Sequence, residues 1–419
     1  MILSGERFML CLNSDRKANI AYIAAMTFYY GVYSFIFLYL SIYMLANGFN
    51  NSEIGVVMAL GFAVTVFAQQ IIANFADKTE IVSSSQIQMI GFVLIILINV
   101  GLLMLKGRNI MICVLYCLQI IVIMGIQPCL NALNFQMINH HYNMNFGVAR
   151  SIGAVSYAVV SAIAGQLVTR FGNVVLQLGN ILLSICAILL LLLIDLNLRA
   201  RRKQLPDEEF VKNDEEKVSY VEFIRSYSPF MLFVFGAVFL YFSFAILNNF
   251  MWQVMEPMGC SKAAYGMVQA VKAGIELFPM ILSLALVMRF GLRKLIVISA
   301  AGFFVKAFFT QIATSVGGIY FATMFEMMAY GLFAPVTIYY VAELFDKKDA
   351  VKGQALLTLA YAIGCVLASI SGGVVLSAFG TKELLIVSSV ASGVGTVIIA
   401  MSMPFISGRI ERKNKMFKY

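Results

Sequence analysis

Gly165-Gln-Leu-Val-Thr-Arg-Phe-Gly172 recurs 208 residues later as Gly373-Val-Val-Leu-Ser-Ala-Phe-Gly380. A second pair, Ile54-Gly55-Val-Val-Met-Ala and Tyr265-Gly266-Met-Val-Gln-Ala, is separated by 211 residues. Both offsets are close to half of the 419-residue chain, which predicts one unit present twice in the same direction. In a membrane protein, a parallel repeat of this kind indicates two similar bundles that face each other across a path for substrate.

The overall composition predicts a membrane protein. Hydrophobic residues make up 61% of the chain, charged residues make up 12%, and the mean hydropathy is +0.87. A water-soluble protein of this length could not bury that much apolar surface and would aggregate. The formal net charge of +9 is explained by basic loops on the cytoplasmic side of a membrane protein, so we expect no nucleic-acid partner.

Twelve apolar stretches are long enough to cross a bilayer, which takes about 20 residues of helix. A polar segment, 196–228, separates the first six from the last six. The predicted fold is an all-α membrane protein with twelve transmembrane helices in two six-helix bundles related by a parallel pseudo-two-fold axis. The predicted domains are an N-terminal bundle (1–195), a cytoplasmic linker (196–228) and a C-terminal bundle (229–419). The stretches lie at approximately 19–46, 54–74, 84–105, 110–134, 149–170, 175–195, 229–254, 264–288, 294–314, 317–341, 354–378 and 384–405.

The distribution of lysine and arginine predicts the orientation in the membrane. With the N-terminus placed in the cytoplasm, the cytoplasmic loops and termini hold 23 basic residues and the opposite loops hold 5. Both termini are therefore predicted to be cytoplasmic, and the membrane is expected to be the cytoplasmic (inner) membrane of a bacterium. Residues 1–18 carry five charges around a short apolar patch, which favours a cytoplasmic leader over a signal peptide.

Residue patterns typical of metal sites or covalent catalysis are not found in the sequence. The seven cysteines have no spacing typical of a zinc site or a disulfide framework, and the only histidines are His140 and His141 in a short polar loop. The sequence contains no catalytic triad and no phosphate-binding loop. We therefore expect no metal, no cofactor and no enzymatic activity. Tyrosine and phenylalanine are interpreted mainly as lipid-facing bulk.

Four ionisable residues lie well inside predicted spans: Lys272, Glu276, Lys306 and Glu326. Each costs about 2.5–3.5 kcal/mol at the centre of a membrane helix, so such residues usually face a bundle interior or a water-filled cavity. Arg150 lies near the start of the fifth span. Four of these five residues belong to the second half of the chain, which suggests that the two halves have different tasks.

The four buried charges form two predicted pairs. Lys272 and Glu276 are spaced i, i+4 and share one face of the eighth helix. They form either a structural ion pair or a site at which Glu276 gains and loses a proton. Glu326 has no cation within a turn of its own helix, so Lys306 on the preceding helix is its predicted partner. That pair is either a static bridge or a site of proton release.

Polar groups in other spans are candidate substrate contacts. Arg150 and Tyr157 lie two turns apart on one helix face, where a guanidinium and a ring could bind an anionic or hydroxylated solute. The alternative is that Arg150 anchors the helix end at the lipid headgroups. Asn131, Asn248 and Trp252 either line a cavity or bond between helices.

The loop after the second helix resembles that of a known family. Phe75-Ala76-Asp77-Lys78, in a chain of twelve helices divided six and six, is similar to the Gly-x-x-x-Asp-Arg-x-Gly-Arg-Lys motif of the major facilitator superfamily. The second copy of the motif keeps its basic residues, beginning with Arg289. The resemblance implies two bundles that rock about a central site, with Asp77, Lys78 and Arg289 in a gate.

Within this superfamily, the chain resembles the proton symporters of the lactose-permease and phenylpropionate-permease branch. Pro128-x-x-Asn131, followed by Phe146-Gly-x-Ala-Arg150-x-x-Gly153-x-x-x-Tyr157, is similar to a pattern of that branch. The lactose permeases have glutamate at the position of Asn131 and tryptophan at that of Tyr157. The arginine and an aromatic platform are therefore retained, and the acidic sugar ligand is not.

The same branch resembles this chain around the buried charges. Phe325-Glu326 is similar to the coupling glutamate of the permeases, which follows a phenylalanine. Lys306 lies near the position where the branch has an arginine in the ninth helix. Ile275-Glu276-Leu-Phe-Pro279 resembles the Glu-Ile-Pro of the phenylpropionate-like members. The resemblance implies that these residues couple transport to proton movement.

The sequence as a whole predicts a proton-coupled symporter that moves a small organic solute, such as a sugar, nucleoside or aromatic acid, by alternating access. The expected partners are the solute, protons and the lipid bilayer, and the protein is expected to be monomeric. Two alternatives stay open: a proton-driven exporter of drugs or metabolites, and a non-transporting membrane sensor. The predicted substrate contacts are Arg150, Tyr157, Asn131, Asn248 and Trp252, and the predicted coupling residues are Glu276, Glu326, Lys306 and Lys272.

Overall fold

The computed structural model describes the backbone of residues 2–78, 83–139, 142, 144, 146–202, 227–345 and 347–416. It describes the side chains of residues 17–72, 83–138, 142, 144, 148–199, 227–345 and 349–404. All regular secondary structure in these residues is helical. Twelve helical segments in this part of the chain are long and apolar enough to cross a membrane. The predicted all-α fold with twelve spans is therefore confirmed.

The helices follow the predicted spans, and two of the spans are interrupted. The fourth span, Ile110–Ile138, and the tenth span, Val316–Leu344, each contain two α-helices. The first half of the chain forms α1 (Ile2–Ala46), α2 (Asn51–Lys78), α3 (Ser84–Met104), α4 (Ile110–Gly125), α5 (Gln127–Asn139), α6 (Phe146–Phe171) and α7 (Val174–Arg202). The second half forms α8 (Ser228–Asn249), α9 (Met251–Met255), α10 (Lys262–Phe290), α11 (Leu292–Ile312), α12 (Val316–Met324), α13 (Tyr330–Leu344), α14 (Lys347–Ala378) and α15 (Thr381–Met416).

The contacts within the chain divide it into two compact units. The first part of α2 belongs to the second unit, and the first part of α10 belongs to the first unit. Because these units follow contacts, the division by chain order into 1–195, 196–228 and 229–419 stays a prediction. The first unit comprises Met1–Phe49, Val64–Lys212 and Lys262–Ala270, and the second comprises Asn50–Ala63, Asn213–Ser261 and Val271–Tyr419.

The repeated Phe-Gly pairs of the sequence end two helices. Gly172 follows α6 with a φ of 79°, and Gly380 follows the end of α14 with a φ of 98°, a left-handed conformation that glycine adopts at little cost. The N–H of Gly172 donates to the carbonyl of Val168 at 3.0 Å, and that of Gly380 donates to the carbonyl of Val375 at 3.3 Å. Both glycines therefore cap the last carbonyl groups of a membrane helix.

The sequence repeats also meet each other at one helix crossing in each unit. In the second unit, a Cβ atom on Gly55 of α2 would lie 3.1 Å from the Cα atom of Gly373 of α14. In the first unit, a Cβ atom on Gly266 of α10 would lie 3.2 Å from the Cα atom of Gly165 of α6. Small residues allow two membrane helices to approach this closely. The internal repeat is therefore a repeated crossing of glycine on glycine.

Tyrosines of α1 lie inside the first unit, so their interpretation as lipid-facing bulk is wrong. Tyr22 and Tyr29 have 0% exposed surface. Their hydroxyl groups donate to the carbonyl oxygens of Leu130 at 3.1 Å and Ile123 at 2.8 Å. A buried tyrosine needs such an acceptor for its hydroxyl group. Here the acceptors are main-chain carbonyl groups on either side of the interruption in the fourth span.

The interruption of the fourth span follows from Pro128. Proline has no N–H, so the carbonyl oxygen of Met124 loses the donor that a continuous helix would supply. Gln69 of α2 donates its Nε2 to that oxygen at 2.9 Å. Main-chain groups at membrane depth must find partners inside the protein, and here a side chain of a neighbouring helix supplies one.

The second unit is built around α8, which packs against α14 and α15, while α11 packs against α13 and α15. Its core is rich in aromatic rings. Phe233 and Phe333 have 0% exposed surface and Tyr340 has 1%, and the rings of Phe233 and Tyr340 lie 5.1 Å apart. Phe333 and Tyr340 belong to α13, so this aromatic core includes the second helix of the interrupted tenth span.

Candidate functional site

The tenth span is not one continuous helix. α12 ends at Met324, and a 3-10 turn over Phe325–Met327 precedes α13. The N–H groups of Met328 and Ala329 both donate to the carbonyl of Phe325 at 3.0 Å. Ala329 leaves helical geometry with a ψ of −111° and is fully buried. Irregular backbone at membrane depth is tolerated where the protein encloses it, so this turn marks a specialised site.

A close approach of α11 secures the turn. A Cβ atom on Gly302 would lie 2.7 Å from the carbonyl carbon of Met328 and 2.8 Å from the nitrogen of Ala329. On the other side, a Cβ atom on Gly331 would lie 3.2 Å from the Cα atom of Glu276 in α10. The residues that follow the turn therefore pack closely against α11, and the first turn of α13 packs closely against α10 beside Glu276.

Glu326 lies in this turn and has no exposed surface. Its Oε2 atom forms a salt bridge with the Nζ atom of Lys306 of α11, whose side chain is 5% exposed. The sequence predicted this pairing, and the contact confirms it. A buried charge is tolerated when it is paired in this way.

Lys272 of α10 has two polar neighbours. Its Nζ atom donates to Oδ1 of Asn248 of α8 and lies 3.9 Å from Oε1 of Glu276. The predicted i, i+4 pair is therefore present, but its ion-pair distance is long and Asn248 is the closer partner. Asn248, predicted as a substrate contact, is thus placed beside the predicted coupling residues.

The four charged side chains form one group, which we call the charged quartet: Lys272, Glu276, Lys306 and Glu326. Both lysines act electrostatically on both carboxyl groups, and the two carboxyl groups also act electrostatically on each other. The exposed fraction of the side chain is 18% for Glu276, 13% for Lys272, 5% for Lys306 and 0% for Glu326. The quartet therefore has a more accessible end on α10 and a sealed end at the turn.

Phe244 of α8 lies against both lysines of the quartet. Its ring centroid is 5.0 Å from Nζ of Lys272 and 5.7 Å from Nζ of Lys306, within the range of cation–π attraction. The ring also stacks on Tyr330 of α13, with a centroid distance of 4.5 Å. Sequence reasoning missed Phe244, although its i, i+4 spacing to Asn248 places both residues on one helix face.

Arg150 lies over an aromatic ring of a neighbouring helix. Its guanidinium carbon lies 4.6 Å from the ring centroid of Tyr30 in α1. The ring centroid of Tyr157 in α6 lies 6.3 Å from that of Tyr33 in α1. The ring of Tyr33 in turn stacks on that of Phe37, with a centroid distance of 4.4 Å. Tyr30 and Tyr33 were missed because an aromatic residue in an apolar run has no distinct sequence signal. Tyr30, Tyr33 and Phe37 are spaced i, i+3 and i+7 along α1, which places them on one face of the helix.

The remaining predicted site residues are dispersed. Asn131 in α5 is exposed, and Trp252 in α9 is 5% exposed. The exposed Arg289 has its guanidinium carbon 5.5 Å from the ring centroid of Phe290. The side chains of Asp77 and Lys78 lie outside the described residues, so the predicted gate keeps the status of a prediction.

A metal site is not evident among the side chains that the structure describes. These contain no group of three or more histidine, cysteine, aspartate or glutamate residues able to hold an ion. His140 and His141, the only histidines of the sequence, lie outside the described residues. In the quartet, lysine ammonium groups already occupy the positions next to the carboxylates.

Comparisons with known proteins point to transporters. An uncharacterized transporter, BU466, from Buchnera aphidicola subsp. Acyrthosiphon pisum (strain APS) is 24% identical over 127 residues, which cover 30% of this chain and 32% of the relative. The match thus spans about a third of the length of that relative. The solved structure of the nucleoside transporter NupG covers 92% of this chain and 98% of its own, with a TM-score of 0.72 and 14% identity. That of a bacterial homologue of the iron transporter ferroportin, in an inward-facing state, also covers 92% and 98%, with a TM-score of 0.65 and 14% identity.

At such identities, the two solved structures show a shared fold and leave the solute open. The family follows from the sequence itself, because a pattern that spans most of the chain matches it. Residues 20–387 match the MFS_1 like family. The chain therefore belongs to the MFS_1 like family, whose fold is that of the major facilitator transporters.

Proposed function

We propose that this transporter is a proton-coupled symporter, which imports a small organic solute across the cytoplasmic membrane by alternating access. The observation that carries the proposal is the charged quartet, which lies at an interrupted span of a membrane transporter. The quartet contains two carboxyl groups, which can bind and release protons, and two lysines, which respond electrostatically to each protonation step.

The energetic cost of the quartet favours a functional role. Four ionisable groups at membrane depth cost about 2.5–3.5 kcal/mol each on insertion scales. Replacing a buried ion pair with well-packed apolar residues is often neutral or stabilising, so stability alone does not require these residues. Ionisable residues in spans typically mark proton relays or ion pathways, and the quartet has the composition of such a relay.

The geometry gives protonation a way to move the backbone. With both carboxylates ionised and both lysines charged the quartet is neutral, and one bound proton gives it a charge of +1. When Glu326 binds that proton, Lys306 loses its carboxylate partner, and the bridge that ties α11 to the 3-10 turn weakens. Gly302 of α11 packs against the residues that follow the turn, and Gly331 of α13 packs against α10, so a change at the bridge would alter the packing of three spans. In this proposal, protonation stabilises one conformation of the protein relative to the other, and proton binding is thereby coupled to transport.

Polar and aromatic side chains in each unit are proposed as candidate solute contacts. In the first unit the candidates are Arg150, Tyr157 and the rings of Tyr30 and Tyr33, which offer a guanidinium fork and flat surfaces. In the second unit the candidates are Asn248 and Trp252. A sugar, a nucleoside and an aromatic acid are the three classes to test, and the fold shared with NupG makes nucleosides a natural first choice. Asn131 is a further candidate contact, and Asp77, Lys78 and Arg289 are the proposed gate.

Uptake by proteoliposomes under an imposed proton gradient tests the proposal. We expect one of the three solute classes to accumulate only when the gradient is directed inward. Glu276→Gln and Glu326→Gln should abolish gradient-driven accumulation, whereas Glu343→Gln, the same change at an exposed carboxylate of α13, should leave it intact.

Two outcomes would contradict the proposal. Accumulation in everted vesicles under an imposed proton gradient, with none in right-side-out vesicles, would identify an exporter. Silent Glu276→Gln and Glu326→Gln variants would show that the quartet does not couple transport to protons.

A further inference from the structure

Lys272 lies between two possible partners on different helices. Its Nζ atom donates to Oδ1 of Asn248 in α8 and lies 3.9 Å from Oε1 of Glu276, one turn along its own helix. An ammonium group carries three donors, yet of these two partners only the amide is within hydrogen-bonding distance. A contact with the carboxyl group at about 2.7–2.9 Å, the usual length of such a bond, would require Nζ to move by about 1 Å.

The other ammonium group of the quartet is already engaged. Lys306 is bridged to Glu326 in the turn, so Lys272 is the lysine of the quartet that can change its partner. The ring centroid of Phe244 lies 5.0 Å from Nζ of Lys272. Cation–π attraction reaches about 6 Å from a ring centroid and would therefore persist over a movement of about 1 Å. The ring keeps Lys272 stabilised on either side of the exchange.

From this geometry we propose that Lys272 is a switch with two positions, held by Asn248 when Glu276 carries a proton and by Glu276 when that carboxyl group is ionised. The inference rests on the proposed function, because it specifies how protonation of the coupling site alters solute binding. Asn248 is a positioning residue in this switch, since it acts on the proton only through Lys272. In the structure, Lys272 occupies the first of the two positions.

The proton that moves is the one on Glu276. An ammonium group that approaches a carboxyl group stabilises its ionised form, and one that withdraws allows the carboxyl group to bind a proton. When Lys272 moves to Glu276, the O–H bond of the carboxyl group breaks and the proton passes to water. The return of a proton from water forms that bond again and releases Lys272 to the amide. Lys272 keeps its own charge throughout.

The charges around Glu276 leave the decision to Lys272. The charged groups that act on its carboxyl group are Lys272 from the same helix, Lys306 from α11 and Glu326 from the turn. Lys306 and Glu326 are bridged to each other, so their opposite charges largely offset each other at Glu276. From α8 the facing groups are an amide and a phenyl ring, and the first turn of α13 contributes a glycine.

The switch also orients the amide of Asn248 for the solute. Because a lysine can only donate, the contact fixes Oδ1 on the side of Lys272 and directs Nδ2 away from it. Nδ2 has no acceptor among the described residues, and Asn248 is partly exposed. The ammonium group polarises the amide and strengthens its N–H groups as donors. The group that this site would take is a hydrogen-bond acceptor of the solute, such as a carbonyl oxygen, and a proton on Glu276 would strengthen its binding, as symport requires.

Unfolding of the purified full-length protein tests the switch without a solute. A double-mutant cycle with Lys272→Met and Glu276→Gln measures the coupling between the two side chains, and it is repeated in Asn248→Leu and in Asn248→Asp. We expect the coupling to be strongest in Asn248→Leu, where the carboxyl group is the remaining partner, weaker in wild type, and weakest in Asn248→Asp, where a second carboxylate holds Lys272. A purely structural amide would leave the coupling equal in all three.

Asn249→Leu is the matched control. The amide of this neighbouring asparagine donates to Oγ of Ser369 at 2.9 Å, so its removal should leave the coupling between Lys272 and Glu276 at the wild-type value. The control separates the loss of the contact with Lys272 from the general effect of removing an amide from α8.

Infrared spectroscopy is a second measurement, which keeps Lys272 in place. The C=O band that Glu276→Gln removes reports the protonated carboxyl group of Glu276. We expect this band to disappear at a pH about 1 unit lower in Asn248→Leu than in wild type, because Lys272 then stays at the carboxylate and stabilises its ionised form. In Asn249→Leu the band should disappear at the wild-type pH.

The switch and the proposed function fail in different ways. Equal coupling in the three backgrounds, an unchanged pH for the band in Asn248→Leu, or the absence of any band that Glu276→Gln removes would overturn the switch. The coupling site would still stand if Glu276→Gln abolished gradient-driven accumulation in proteoliposomes. Intact accumulation in Glu276→Gln would instead overturn the proposed function, and the switch with it.

Discussion

Replacing Lys306 by methionine removes the ammonium group that is bridged to Glu326, at the sealed end of the quartet, and keeps the apolar length of the side chain. The two partners are 5% and 0% exposed, so water cannot compensate Glu326 for the loss. Breaking a buried pair by removing one partner typically costs about 3–5 kcal/mol. That range agrees with roughly 4 kcal/mol for unit charges at about 4 Å in an effective dielectric of about 20. We therefore expect Lys306→Met to lose about 3–5 kcal/mol of folding free energy.

Lys352→Met is the matched control. Lys352 pairs with Asp349 at 3.2 Å, but the side chains are 12% and 24% exposed and lie at the start of a helix. Pairs that water reaches are worth about 0–1 kcal/mol, and Asp349 also accepts a hydrogen bond from the hydroxyl of Tyr227 at 3.2 Å. The control should therefore unfold close to the wild type.

Thermal and denaturant unfolding of the purified variants in one detergent provides the measurement. A double-mutant cycle with Lys306→Met and Glu326→Gln isolates the interaction free energy between Lys306 and Glu326. We expect the double variant to be more stable than Lys306→Met alone, because the uncharged amide no longer needs a cation. Equal stability of Lys306→Met and Lys352→Met, with a coupling energy near zero, would refute the description of the bridge as a buried ion pair.

Three further changes test other parts of the structure. Gly266→Val should lower solute uptake at least tenfold, because its side chain would hold α10 away from α6, while Gly274→Val, where no atom lies within 4 Å of an added Cβ, should have little effect on uptake. Phe244→Leu should destabilise the protein by about 0.5–2 kcal/mol through the lost cation–π contacts, as unfolding in detergent would show; an unchanged midpoint would contradict it. Gln69→Leu leaves the carbonyl of Met124 without its side-chain donor and should cost about 1–3 kcal/mol in the same assay; wild-type stability of this variant would refute the role of Gln69.

The spans were predictable because membrane crossing imposes a length and an apolar composition on each helix. The repeat was equally informative. Its glycines, Gly55, Gly165, Gly266 and Gly373, lie at the two helix crossings, where a larger side chain does not fit. A steric requirement of this kind leaves a visible signal in the sequence.

The pairing of Lys306 with Glu326 was predictable for an electrostatic reason. Two opposite charges without local partners on adjacent spans must meet, since either alone is costly at membrane depth. The position of the 3-10 turn was not predictable in the same way. It depends on the close approach of Gly302 to Met328 and Ala329, which is a tertiary contact between two spans.

The aromatic partners were missed because their chemistry suits lipid and protein interior equally well. Tyr30 and Phe244 lie in apolar runs that contain many similar residues, and only the neighbours Arg150, Lys272 and Lys306 distinguish them. Such neighbours come from other helices. Helix periodicity indicates which residues share a face, but it does not indicate which cation lies opposite that face.

The most direct test of the central claim is the movement of protons driven by the solute. A transported solute is added to lightly buffered proteoliposomes without an imposed gradient, and the external pH is recorded. The account predicts that the wild type makes the outside more alkaline as solute enters, and that Glu326→Gln admits solute down its gradient with no change in pH. Solute entry without any pH change in the wild type, or an unchanged pH response in Glu326→Gln, would contradict coupling through the charged quartet.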